Sequence, residues 1–250
     1  MLKRIDVSRF SREVPGLGSR LRIVAISDLH PGTLSMRISE LVDLINKQDA
    51  DVVVFAGDII DGYPESLLEP YFKEVQSCFA KLAVLGNHEY YRRKSVYGLY
   101  EFYTRCGFRL LVNQTIHTDG VQWVGLDDWV YGHPDVSILE CDETGSRFVV
   151  WVSHSPVLFD RVVEQYGSPS LMIAGHTHGG QIALFGKTIF TPYGSGRYQK
   201  GWYTAGSHSL YVMRGIGTSR ILPIRIGVKP EILVLDLLEQ QQDKQQRTCK

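Results

Sequence analysis

Five short runs constrain this chain more than anything else in it: "LRIVAIS" (21–27), "DVVVFAG" (51–57), "KLAVLG" (81–86), "FVVWVS" (148–153) and "LMIAG" (171–175). Each is apolar almost without interruption and rich in β-branched residues. Alternating polar and apolar positions would mean a strand with one wet face. Unbroken runs mean strands covered on both faces, as in the parallel sheets of α/β proteins. Helical spacing fills the intervals. Ile38, Leu41, Val42 and Ile45 recur at i, i+3, i+4, i+7, and so do Val96, Leu99, Tyr100 and Tyr103, with Ser95 as cap and Gly107 as stop. A weaker pattern follows Pro70 at Val75 and Phe79, and Val162, Val163 and Tyr166 precede Gly167. The last third changes character: "QIALFG", "KTIF", "SLYVMRG", "PIRIG" and "PEILVLDL" read as strands between Gly, Pro and Ser. An α/β first part and a β-rich second part together predict an α/β fold of two packed sheets with helices outside. With 250 residues, 44% of them hydrophobic, one domain over 1–238 suffices, followed by a polar tail over 239–250.

The carboxyl ends of the five runs carry the chemistry. They lead into Asp28 and His30, into Asp58 and Asp61, into Asn87-His88-Glu89, into His154, and into His176 and His178. Ligands of open α/β sheets sit beyond the carboxyl ends of strands, and five strands here deliver Asp, Asn and His to that end. In "GHTHGGQ", His176 and His178 point to one side of an extended backbone, and Gly175, Gly179 and Gly180 allow other groups close to the main chain. Histidine is the commonest metal ligand. This many oxygens and imidazoles exceed one closed tetrahedral site; they suit two cations roughly 3.5–4 Å apart sharing a bridging carboxylate. Nitrogen and oxygen ligands without thiolate favour Mn, Fe or Zn.

The motifs "SDLH", "GDIID", "GNHE", "SH" and "GHTHGGQ" resemble, in order, the five motifs of the calcineurin-like metallophosphoesterases. "PYGSGRY", "GWY" and "RGIGTSRILPIRIGVKPEI" resemble the C-terminal part of the bacterial subgroup whose metal motif ends in GHTHGGQ, so the likeness covers most of the chain. It implies an α/β fold of two packed mixed β-sheets flanked by helices, the four-layer αββα sandwich. It also implies that Asp28, His30 and His178 bind one divalent metal ion, that Asn87, His154 and His176 bind a second, and that Asp58 bridges them. His88 matches the family's non-ligand histidine near the leaving group, and Asp61 the residue that orients it; Glu89 receives no role. The implied reaction is hydrolysis of a phosphodiester or pyrophosphate bond by a hydroxide bridging the two metals, with His88 as general acid. No GxSxG or similar nucleophile motif competes with this. Within the subgroup the resemblance extends to phosphodiesterases of unassigned substrate and to UDP-2,3-diacylglucosamine pyrophosphohydrolases of lipid A synthesis.

Other classes fit less well. A net charge of zero argues against nucleic-acid binding and a nuclease. "GDIIDGYP" has Gly62 where protein phosphatases carry an Arg-Gly pair, and a non-catalytic scaffold would have lost ligands or His88. Four cysteines without CxxC spacing read as free thiols in a reducing compartment, which predicts the cytoplasm. No window of 18 apolar residues predicts a spanning helix, and no secretory signal is expected, although contact with a membrane surface would suit a lipid-linked substrate. His117, His133 and His208 match no motif and are expected on loops or the surface. Arg92, Arg93 and Lys94 form either a solvated turn or a contact to substrate phosphate. Asp127-Asp128 with Trp129 ends a strand or lines the pocket rim, and Arg197 is open in the same way.

Overall fold

The computed structural model describes residues 5–92, 96–118, 120–139, 148–184, 187–188, 191–219 and 223–240. The apolar runs are strands, and they fall into two six-stranded mixed sheets. The first sheet contains β1 (Asp6–Val14), β2 (Leu21–Ile26), β3 (Val52–Ala56), β4 (Ala80–Val84), β5 (Arg109–Leu110) and β14 (Glu231–Glu239), in the order β1-β14-β2-β3-β4-β5. The second contains β6 (Gln114–Thr118), β7 (Val121–Gly125), β8 (Phe148–Ser153), β9 (Ser170–Ala174), β12 (Gly201–Ala205) and β13 (His208–Val212), in the order β12-β13-β9-β8-β7-β6. A small antiparallel pair, β10 (Ala183–Leu184) and β11 (Lys187–Thr188), stands apart. Strands β2 to β5 run parallel, as do β7, β8, β9 and β13; antiparallel pairs involve β14 with β2, β6 with β7 and β12 with β13.

Alternate residues of each buried strand serve different cores, which is why the runs had to be apolar throughout. Ile23, Val52, Val54, Leu82 and Val84 face Trp123, Val150, Val152, Leu171 and Ile173 across the space between the sheets. Val24, Ile26, Val53, Phe55 and Ala83 turn the other way. They meet α1 (Ile38–Asn46), α2 (Glu65–Lys73) and α4 (Tyr97–Arg105) through Leu41, Ile45, Leu68, Phe72, Leu99 and Phe102. On the outer face of the second sheet Val149, Trp151 and Met172 pack against Leu158, Phe159 and Val162 of α5 (Leu158–Gln165). The result is the expected sandwich, helix–sheet–sheet–helix.

Local expectations fared unevenly. Leu41, Val42 and Ile45 are the buried face of α1, and Leu99 and Tyr103 belong to that of α4. Ser95 lies outside the described residues; Val96 precedes the first turn of α4. The pattern at Val75 and Phe79 is not a helix. The helix there is α2, which ends at Lys73 and contains Pro70, and Phe79 is 54% exposed. "PIRIG" forms no strand, only a single bridge between Ile226 and Ile182. β14 continues through Glu239, the first residue of the expected tail. Its carboxylate accepts the backbone N–H groups of Leu17 (2.5 Å) and Gly18 (2.9 Å), so it closes the turn after β1. Cys78 and Cys106 are free thiols, while Cys141 and Cys249 lie outside the described residues. No helix among the described residues is long and apolar enough to cross a membrane.

Candidate metal centre

The first sheet delivers Asp28 and His30 after β2, Asp58 and Asp61 after β3, and Asn87 at the start of α3 (Asn87–Arg92) after β4. The second delivers His154 after β8 and His176 and His178 after β9. Asp28, His30, Asp58, Asp61, His154, His176 and His178 come together at the carboxyl ends of the two sheets, and Asn87 stands at the start of the adjoining helix. The connections turn sharply: Asp28, His30, Asp58, Asp61, His176 and His178 all have positive φ, between 41° and 73°. Such backbone is costly for non-glycine residues and is held only where the surroundings enforce it. Small residues make the crowding tolerable. A Cβ on Gly57 would lie 2.5 Å from His154 Nδ1, and one on Gly215 2.7 Å from the Asp28 Cβ.

Among the described residues, three groups of side chains present ligand atoms within 4.8 Å of one another: Asp28, His30 and His178; Asp28, Asp58 and His154; and His30, Asp61 and His88. His154 Nε2 lies 3.3 Å from Asp58 Oδ2, His30 Nε2 3.6 Å from the same oxygen, and His178 Nε2 3.5 Å from Asp28 Oδ1. Several features call for a cation in the middle. His154 Nδ1 donates to the Ala56 carbonyl (2.9 Å) and His176 Nε2 to the Tyr193 carbonyl (2.7 Å). That leaves His154 Nε2 and His176 Nδ1 facing each other at 3.2 Å. Two imidazole nitrogens that close need a positive charge between them, either a proton or a metal ion. His30 Nε2 and the Asn87 Oδ1 are buried without a hydrogen-bond partner, which is costly unless something binds them.

The protonation pattern agrees. Burial pushes the imidazolium of His176 down to about 4 and that of His178 to about 3, so both are neutral electron-pair donors at neutral pH. Burial would do the same to His154, but Asp58 and Asp28 outweigh it and hold a proton there, on the nitrogen a dication would otherwise occupy. Opposing histidines keep Asp28 and Asp58 ionised despite their burial. The residues present therefore fit divalent metal ions in both number and chemistry of donors.

Comparison with known proteins agrees with this geometry. The family model for calcineurin-like phosphoesterases matches residues 21–180. The chain belongs to the calcineurin-like phosphoesterase family. It is 34% identical to the uncharacterized metallophosphoesterase YkuE of Bacillus subtilis over 86% of this chain and 78% of that protein. It is 30% identical to the uncharacterized metallophosphoesterase Cj0846 of Campylobacter jejuni, covering 94% of this chain but only 64% of that longer protein. An uncharacterized metallophosphoesterase of Aquifex aeolicus is 25% identical over 93% of this chain and 92% of its own length. The protein is thus a metal-dependent phosphoesterase by class.

Around the ligand candidates of this phosphoesterase lies a set of residues that sequence reasoning only partly found. Asp61 Oδ1 accepts from His88 Nδ1 at 2.7 Å, as expected for an orienting carboxylate, but Asp61 Oδ2 also accepts from His30 Nδ1 at 3.0 Å. One carboxylate therefore orients the acid candidate and a ligand candidate together. Burial would lower the proton affinity of His88, but the Asp61 hydrogen bond and the charge of Asp58 outweigh it and raise it. Glu89 is fully buried and accepts the backbone N–H groups of Asp58 (2.8 Å), Ile60 (2.9 Å) and Gly86 (2.8 Å), stapling the turn after β3 to the turn after β4. Arg225, 5% exposed, donates to the carbonyls of His178 (3.1 Å), Arg214 (2.7 Å) and Gly217 (2.8 Å), and so supports the loop that carries the ligand candidate His178. Gln181 ties the same loop to the C-terminal segment: its side-chain oxygen accepts from Ser219 N and its carbonyl from Ile226 N (2.9 Å). Asp61, Glu89 and Gln181 are marked in the sequence only by their place in GDIID, GNHE and GHTHGGQ, and Arg225 only as a charged residue within the apolar PIRIG.

The remaining candidates are placed as follows. His117 and His133 are exposed and outside the cluster. His208 is not on the surface: it is buried in β13, 5% exposed, and bonds Ser170 Oγ at 2.8 Å. Asp127 and Asp128 organise the turn after β7, where Asp128 accepts from Val130 N and Tyr131 N (2.8 Å each). Arg197 turns away to Asp160 (2.9 Å). Arg93 and Lys94 lie outside the described residues, as does the side chain of Arg92.

Proposed function

We propose that the protein is a dinuclear metal-dependent hydrolase of phosphodiester or pyrophosphate bonds. Asp28, His30 and His178 would hold one ion, Asn87, His154 and His176 the other, with Asp58 between them. The observation that carries this reading is the convergence of His154 Nε2 and His176 Nδ1, 3.2 Å apart, beside the buried His30 Nε2 and Asn87 Oδ1, which have no hydrogen-bond partner. When bound, such ions supply an activated water and neutralise the phosphoryl oxygens. The chain's own contribution is positional. Asp61 accepts the His88 Nδ1–H and, with Asp58, favours the imidazolium form, whose Nε2–H would be the proton available to the departing oxygen. The His88 side chain is 26% exposed, open enough to meet substrate, whereas the ligand candidates His30 and His154 are wholly enclosed. Pyrophosphate cleavage of a lipid-linked nucleotide such as UDP-2,3-diacylglucosamine, in the cytoplasm or at a membrane surface with Mn as the ion, is the narrower form of the proposal. It draws support from the subgroup motifs in the sequence. A general phosphodiesterase is its alternative. A panel of Mn²⁺-loaded assays separates them: bis-p-nitrophenyl phosphate, p-nitrophenyl phosphate, UDP-2,3-diacylglucosamine and linear DNA. The proposal expects the diester or the lipid nucleotide to exceed the monoester. Preference for the monoester overturns it, and inertness toward the lipid nucleotide alone leaves the general diesterase.

A further inference from the structure

Three large aromatic side chains that the cores do not use stand around the mouth of the ligand cluster. Tyr91 is 66% exposed, Tyr131 54% and Tyr193 76%, and none of them belongs to the apolar clusters of the fold. They come from α3, from the turn after β7 and from the loop before Ser195, and each is tied to the site by a direct neighbour. Tyr91 lies three residues beyond His88 on α3, so the two side chains share a helix face. Tyr90 donates to Asp127 Oδ1 at 2.5 Å and pins α3 to the turn that carries Tyr131. A Cβ on Gly194 would stand 3.1 Å from His176 Nε2, 3.2 Å from Val130 Cγ2 and 3.3 Å from Ser155 Oγ. The turn bearing Tyr131 and the loop bearing Tyr193 therefore meet over the His154–His176 half of the site, and the Tyr193 carbonyl itself accepts from His176.

Across this mouth the Tyr91 and Tyr131 rings stack, with centroids 6.3 Å apart and planes 28° from parallel. Neither ring is needed to fill a core, and both keep most of their surface in water. A nearly parallel aromatic pair beside a phosphoryl-binding site is a platform for another flat ring: every heteroaromatic base has a π-face, and stacking on tyrosine needs no matched hydrogen bonds. An acyl chain would call instead for a groove lined by aliphatic side chains. We propose that Tyr91 and Tyr131 form a base-stacking subsite for the substrate arm next to His88, and that the substrate is accordingly a nucleotide-containing diester or pyrophosphate. This rests on the hydrolase reading above and narrows it.

The test is a matched pair of ligands. Adenosine 5′-monophosphate and ribose 5-phosphate share phosphate and sugar and differ only in the base, so their ratio of affinities for the Mn²⁺-loaded protein, measured by calorimetry, isolates stacking. The nucleotide should bind roughly tenfold tighter or more, in line with the worth of one stacked base. In Tyr91→Leu and in Tyr131→Leu, each checked for folding by circular dichroism, the ratio should fall toward one. Equal affinities in the wild type, binding of neither ligand, or a ratio that survives both substitutions overturns the subsite. Turnover of bis-p-nitrophenyl phosphate is scored separately: turnover without base preference removes the subsite alone, and base preference without turnover removes the hydrolase reading alone.

Discussion

Replacing Glu89 tests whether a buried carboxylate holds the turns after β3 and β4 together. Its Oε2 accepts two N–H groups, from Asp58 and Gly86, and its Oε1 accepts one, from Ile60. In Glu89→Gln the amide oxygen would take the position with two donors, and the new NH₂ would face the Ile60 N–H. One buried donor is then left unmade, a loss of about 1–3 kcal/mol. Burial and the nearby Asp58 charge raise the proton affinity of Glu89, so relief of the buried charge offsets part of that loss. Glu89→Ala leaves all three donors without a partner, and roughly 3–6 kcal/mol should go. For a chain of this size about 1 kcal/mol corresponds to roughly 2–4 °C in Tm. Thermal unfolding followed by circular dichroism should therefore place Glu89→Gln a few degrees below wild type and Glu89→Ala well below both. The comparison belongs on metal-free protein, because bound ions would add stability of their own. A Glu89→Gln variant as stable as wild type, or an alanine variant no worse than the glutamine one, would refute the staple.

His88→Asn should keep normal metal content and lose roughly 10²-fold or more in kcat, because a proton donor goes while the ligand set stays; elemental analysis beside steady-state kinetics checks both. Asp61→Asn should do two things at once, since the carboxylate serves both His88 and His30. Metal affinity should fall roughly 10–100-fold, and in protein saturated with metal the alkaline limb of the kcat/KM profile should move to lower pH. The sign follows from His88: Asp61 raises its proton affinity, a general acid works only while protonated, and loss of the carboxylate ends its protonated range earlier. A limb that stays in place would remove His88 from the acid role. Arg225→Lys keeps the charge but cannot reach the carbonyls of His178, Arg214 and Gly217 together, and should lower stability by about 2–4 kcal/mol, read by urea unfolding.

The parts of this molecule legible in the sequence are those with a strong local signal. β3 and β8 are buried at every position and β2 at all but Arg22, so their unbroken apolar runs survive any detail of packing. The ligand candidates lie directly after those strands and needed no long-range argument. β1 was not legible, because its middle residues are exposed at a sheet edge and its pairing with β14 spans more than 200 residues. "PIRIG" looked like a strand for the opposite reason: its alternation serves Arg225, whose guanidinium is drawn inward by carbonyls and not by a sheet. His208 was misplaced because a strand position had been read as a loop. Glu89 and the second bond of Asp61 depend on turns meeting in space, which no spacing along the chain encodes.

The central claim is two metal ions in one cluster. It is tested most directly by reconstituting the protein with Mn²⁺, removing free ion, and measuring bound metal by elemental analysis together with electron paramagnetic resonance. The account predicts close to two ions per chain, a spectrum showing exchange coupling between them, and less metal in His176→Ala. One ion or none per chain, with phosphodiester hydrolysis surviving a strong chelator, would contradict it.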